Sequence, residues 1–198
     1  MRLRSRRTAT WILISCTLFL ASEAVAQSEK YSAQGFLPSG AGMRGVGAGS
    51  TFSVDIYINS YTDDPEAKRL AGVLLEGGND ALHKQLEDMK SIGKITLTGR
   101  VGFYDLKLIR SHNLQGGGRR IIAVTDRPIQ FLEAYYSGRS MDYNFGILQI
   151  DLKPNKKGKE SGEGALIYAA KVKVIENKSI DIENYGISPV QLRSIRKL

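Results

Sequence analysis

Cysteine and tryptophan are almost missing: the 198-residue chain has one of each, Cys16 and Trp11, both close to the N-terminus. Beyond that segment no disulfide, thiolate nucleophile or cysteine metal site is available. Histidine is nearly as scarce, with only His83 and His112. A zinc site needs three or four ligands at recognisable spacings, and two isolated histidines do not supply them, so no metal or cofactor is expected. Long apolar runs are lacking too. The longest, Trp11 to Ala21, falls well short of the ~20 residues that a membrane-spanning helix requires. A Gly-x-Ser-x-Gly nucleophile elbow does not occur.

The N-terminus has the pattern of an export signal over residues 1–26. Arg2, Arg4, Arg6 and Arg7 precede the apolar run, and Ala24-Val25-Ala26 offers small residues for cleavage near Ala26. The expected product is periplasmic or secreted, without a transmembrane anchor. Lipoprotein processing at Cys16 and twin-arginine export through Ser5-Arg6-Arg7 are weaker readings, because little apolar sequence precedes Cys16 and the twin arginines lack apolar residues just after them. Removing four arginines and Glu23 lowers the net charge from +8 to +5. The remaining excess gathers at Lys153, Lys156, Lys157 and Lys159 and at Arg193, Arg196 and Lys197. No aromatic residues are interleaved with these lysines as a nucleic-acid platform requires, so a solvated loop and tail are expected and a nucleic-acid partner is not.

Residues 27–49 are rich in glycine and read either as a flexible lead-in or as a first strand and loop. Residues 50–198 read as one β-rich domain. Phe52, Val54, Ile56 and Ile58 alternate with polar neighbours, the signature of a strand with one buried face. The period then changes, and a helical insertion is predicted over 63–92. Ala67, Leu70, Ala71, Leu74 and Leu75 share one helical face, with Asp63 or Asp64 as cap and Pro65 in the first turn. Gly77-Gly78 breaks that run, and Asn79 caps a second helix carrying Leu82, Leu86 and Met89. Alternation resumes after Gly93 and persists to the C-terminus. The predicted fold is mainly β (α+β): an antiparallel barrel or two-sheet sandwich of about seven to nine strands covered by a helical pair.

Three motif matches fail on context. His112 to Arg120, HNLQGGGRR, offers glycines and arginines to an anion, yet strand-like segments flank it on both sides and a phosphate loop must open into a helix. A hairpin turn is expected there, since Asn and Gly adopt positive φ cheaply. Gly40 to Gly45 spells a dinucleotide fingerprint but leads into a strand. Ser91-Ile92-Gly93-Lys94 has the serine and lysine of penicillin-recognising enzymes, at a helix end and without a Lys-Thr-Gly companion. His83, one position from core-facing Leu82, is expected in solvent.

The segment between two strands around residues 131–145 carries the strongest functional signal. Phe131, Tyr135, Tyr136, Tyr143 and Phe145 cluster there with Arg139, a set suited to line a barrel mouth for a small anionic or sugar-like ligand, or simply to plug it. Asp126, Glu133 and Asp142 flank the same segment, and two of them at a suitable separation would make a carboxylate-dependent hydrolase acting on glycans. Two stretches, Leu75 to Leu82 and Gly138 to Ile147, resemble uncharacterised exported bacterial proteins of similar size. The resemblance implies export and no particular activity. The leading expectation is an exported, non-enzymatic β-rich domain that binds a small ligand or an envelope partner; the hydrolase is the alternative.

Overall fold

A computed structural model describes residues 28–38, 49–98, 102–129, 143–155, 158–175, 179–184 and 188–198. Nine strands and one helix occur among them. The strands are β1 (Glu29–Phe36), β2 (Thr51–Ile58), β3 (Gly93–Leu97), β4 (Tyr104–Asn113), β5 (Arg119–Thr125), β6 (Phe145–Pro154), β7 (Glu160–Ile175), β8 (Ser179–Asn184) and β9 (Val190–Lys197), and the helix is α1 (Asp64–Asp88).

Antiparallel pairing runs β6-β5-β4-β3-β2-β1-β9-β7, and a further β6–β7 ladder closes the ring. Eight strands therefore form a closed barrel, and β8 extends the sheet from β7 outside it. Closure decides between the barrel and the sandwich and removes the free edges that an open sheet exposes. Two of the closing ladders use β9, which pairs with β1 and with β7. The basic C-terminus is thus a barrel strand and not the solvated tail expected from its charge.

Every barrel strand contributes to the interior. Tyr31, Ile56, Ile95, Ile109, Ile121, Ile150, Leu166 and Leu192 are all essentially solvent-free in one cluster. An eight-stranded barrel is just wide enough for side chains to fill it. The strand alternation places the neighbours of these residues on the outer face. Where the sequence suggests that Leu106 and Leu108 share a face, a bulge at Lys107 shifts the register, so Leu106 and Ile109 point inward and Leu108 packs outside.

The outer wall from β4 to β8 is apolar and is covered by α1. Leu70, Leu74, Leu82 and Leu86 of the helix cluster with Val124, Phe145, Ile147, Ala170 and Val172 of the wall. Burying each of those leucines stabilises the domain by about 2 kcal/mol. The cover is assigned as one helical element, α1, interrupted within the Gly77-Gly78 pair where the sequence predicted two helices to part. It is sharply bent at Gly78, whose backbone is non-helical at φ 70°, ψ −163°. Arg69 donates to the Gln85 side chain at 2.7 Å. Sixteen residues of straight helix would hold those positions about 24 Å apart, so the two arms fold toward each other.

The helix ends follow their chemistry. Asp63 accepts from the Glu66 amide at 2.9 Å, which selects Asp63 as the N-cap, and Pro65 occupies the first turn. No basic residue stands in the last turn. Instead Lys107, released outward at the bulge, donates to the Met89 carbonyl at 2.7 Å and pairs with Asp126 at 3.2 Å. Asn79 is not a cap. Its side chain accepts from the Val172 amide at 2.9 Å and donates to the Val172 carbonyl at 3.0 Å, docking the bend onto β7. Among the described residues no helix is long and apolar enough to cross a membrane.

Candidate functional site

The bent helix and the barrel wall do not meet everywhere. Between them lies a cavity of about 340 Å³. Ala67, Leu70, Ala71 and Leu74 line it from the first arm and Leu82 and Leu86 from the second. Opposite stand Leu108 of β4, Ile122 and Val124 of β5, Ile147 of β6, Val172 of β7 and Ile182 of β8. Among the described lining residues two are polar, Arg110 and His112 of β4, and none is acidic. The space is partly open to solvent and far larger than the voids that close packing ordinarily leaves between elements. Its volume lies in the range of small-molecule sites.

Local sequence explains why the cavity has a cationic end. The segment before α1 pairs with β4: the Thr62 amide donates to the Ile109 carbonyl at 2.9 Å, and the Ile109 amide donates to the Thr62 hydroxyl at 3.0 Å. This sets the start of α1 beside Arg110, which donates to the Thr62 carbonyl at 2.7 Å and to the Asp64 carboxylate. The guanidinium draws the Asp64 carboxyl below its ordinary pKa, by hydrogen bond first and by charge second. The Asp64 side chain nevertheless remains 72 % exposed, against 25 % for Arg110.

A second polar cluster closes the same end of the barrel. Arg119, at the exit of the β4–β5 hairpin, donates to Glu160 at 2.6 Å, Glu29 at 2.8 Å, Tyr31 at 2.7 Å and Tyr61 at 3.0 Å. Lys197 donates to Glu29 at 2.7 Å, and Tyr31 donates to Glu160 at 2.8 Å. Burial pushes the Glu29 carboxyl up, but the donors Lys197, Tyr61 and Arg119 outweigh it and hold its pKa at about 2. Burial and the neighbouring carboxylates push the Tyr31 and Tyr61 hydroxyls well above the usual phenol range. The hydrogen bonds from Arg119 and Tyr31 likewise outweigh burial at Glu160 and lower its carboxyl pKa, so the shifts of Glu29, Glu160, Tyr31 and Tyr61 all run away from neutrality. The cluster ties β1, β5, β7 and β9 together. The HNLQGGGRR segment that feeds it is a hairpin turn, with Gly116, Gly117 and Gly118 at φ of 88°, 91° and 85°.

Of the predicted ligand-binding set, Phe131, Tyr135, Tyr136 and Arg139 lie outside the described residues, as do Glu133 and Asp142 of the carboxylate alternative. Tyr143 donates to Glu183 at 2.8 Å, with the Lys171 ammonium 4.9 Å from its ring centre. Phe145 is fully buried in the helix–wall cluster, its ring 6.1 Å from that of His83. Asp126 carries an ion pair to Lys107, and its carbonyl accepts from His83 Nε2 at 2.7 Å. His83 is therefore docked against the wall, where the sequence suggested solvent. The dinucleotide-like Gly40 to Gly45 stretch also lies outside the described residues.

The cavity residues were only half visible in the sequence. The helix face was, but the wall was not. The signal available was the unbroken apolar run Ile121-Ile122-Ala123-Val124, which marks a strand buried on both faces. A scan of family models, a search of curated proteins and a search of solved structures each found no match for this chain.

Proposed function

We propose that this is an exported binding protein whose small, largely apolar ligand occupies the cavity between α1 and the outer wall of the barrel. The observation that carries the reading is the largely apolar cavity of about 340 Å³ between the bent helix and the barrel wall. Export is supported by the arginine-rich, apolar N-terminus with its Ala24-Val25-Ala26 stretch. The barrel interior is filled by its own side chains, which directs a ligand to the space outside the wall.

Ala71 is placed to test this, because it lines the cavity from the first helical arm and has room in front of it. The neutral fluorophore N-phenyl-1-naphthylamine should bind the folded protein saturably. Ala71→Phe should fill the space, remove that binding and leave thermal stability equal or higher, as cavity filling commonly does. Saturable binding that survives Ala71→Phe, or no saturable binding at all, would overturn the proposal.

A further inference from the structure

Resting on that reading, we infer that the ligand is a single-chain amphiphile with a carboxylate head, its chain along the apolar wall and its head on Arg110 beside His112. Size comes first. An apolar cavity of about 150 Å³ takes one benzene, so 340 Å³ accommodates a flexible chain of roughly a dozen carbons. Charge complementarity fixes the head. Both polar lining residues belong to β4, two positions apart on its outer face, and one is a permanent cation. Among the described residues that line the cavity there is no carboxylate to oppose an anion or to welcome an ammonium group; the one beside it, Asp64, sits on the solvent side of Arg110.

The molecule also shows that this guanidinium accepts a carboxylate. Asp64 already occupies one of its nitrogens. Asp64 is mostly in solvent while Arg110 is mostly covered, and an exposed ion pair of that kind is weak and screened. A ligand carboxylate arriving from the cavity side meets a less hydrated guanidinium and displaces Asp64 at little cost. An uncharged head of the same size would gain no such contact, and a cationic one would be repelled by Arg110.

The test displaces N-phenyl-1-naphthylamine from the full chain with decanoate, decanol and decyltrimethylammonium, each below its micellar concentration. Decanoate should displace the probe at least about tenfold more effectively than decanol, and the ammonium least of all. Arg110→Gln should remove the preference for decanoate and leave decanol unchanged. Asp64→Asn, which removes the competing carboxylate without touching the cavity wall, should tighten decanoate binding and remains informative even if Arg110→Gln fails to fold. Probe binding with equal displacement by decanoate and decanol would overturn the carboxylate assignment while sparing the cavity reading. Tightest binding of the ammonium, or decanoate binding unchanged or weakened in Asp64→Asn, would overturn it likewise. Absence of probe binding would remove the cavity reading itself.

Discussion

Gly78→Ala isolates the bend on which the cavity depends. At φ 70° and ψ −163° the Gly78 backbone occupies a region that is essentially reserved for glycine. A β-carbon built there meets no heavy atom within 4 Å. The cost is therefore conformational and not steric, and no neighbouring substitution can relieve it. Strain of this kind costs about 1–3 kcal/mol. The chain can escape it only by straightening, which breaks the Arg69–Gln85 bond and lifts Leu82 or Leu86 from the wall, at about 2 kcal/mol per leucine exposed. Urea denaturation should show a loss of about 2 kcal/mol or more.

Gly77 provides the contrast. Its backbone is helical, and a β-carbon there would stand 2.5 Å from that of Ala81. Gly77→Ala alone should destabilise. Coupled with Ala81→Gly, which removes the clashing carbon, it should return to within about 0.5 kcal/mol of the parent, because the glycine and alanine helix propensities exchange places. A loss below about 0.5 kcal/mol for Gly78→Ala, or a Gly77→Ala/Ala81→Gly pair as unstable as Gly77→Ala, would refute the assignment of conformational strain to Gly78 and steric crowding to Gly77.

The polar barrel end and the core make two further predictions. Because the folded-state pKa of Glu29 is depressed from 4.5 to about 2, its contribution is fully present above 4.5 and is lost as pH falls from 4.5 toward 2. By linkage that contribution is about 3 kcal/mol, so acid titrations of stability should show a shallower limb in that window for Glu29→Gln, and identical limbs would refute it. Tyr168 has a buried hydroxyl without a hydrogen-bond partner among the described residues. Tyr168→Phe should accordingly be neutral or stabilising by up to about 1 kcal/mol in the same denaturation assay, and a loss above 1 kcal/mol would show that the hydroxyl has a partner.

Strand after strand was legible because each buries one face, and local alternation records that directly: Phe52 to Ile58 was placed to within a residue of β2. Closure was not, since it depends on ladders such as β1–β9 that join the two ends of the chain, and no local pattern encodes them. The bulge at Lys107 shows a related blindness. One inserted residue reversed the faces of Leu108 and Ile109 and sent a lysine out to hold the end of a helix, and nothing in LKLI distinguishes that from a regular strand.

The candidate site failed to announce itself for the same reason. Its helical half has a clean period, yet Arg110 is one charged residue among many until Thr62 pairs with Ile109 and brings the start of α1 beside it. Arg119 and Arg120 make the point within a single turn. They are adjacent and chemically identical, and the sequence treats them as one motif. Opposite faces of the strand then give Arg120 a surface pair with Asp151 and Arg119 four partners at the barrel end, Glu29 and Tyr31 of β1, Glu160 of β7 and Tyr61 after β2. What a charged side chain does in this protein is decided by which side of the barrel wall it is born on, and that is a property of closure before it is a property of sequence.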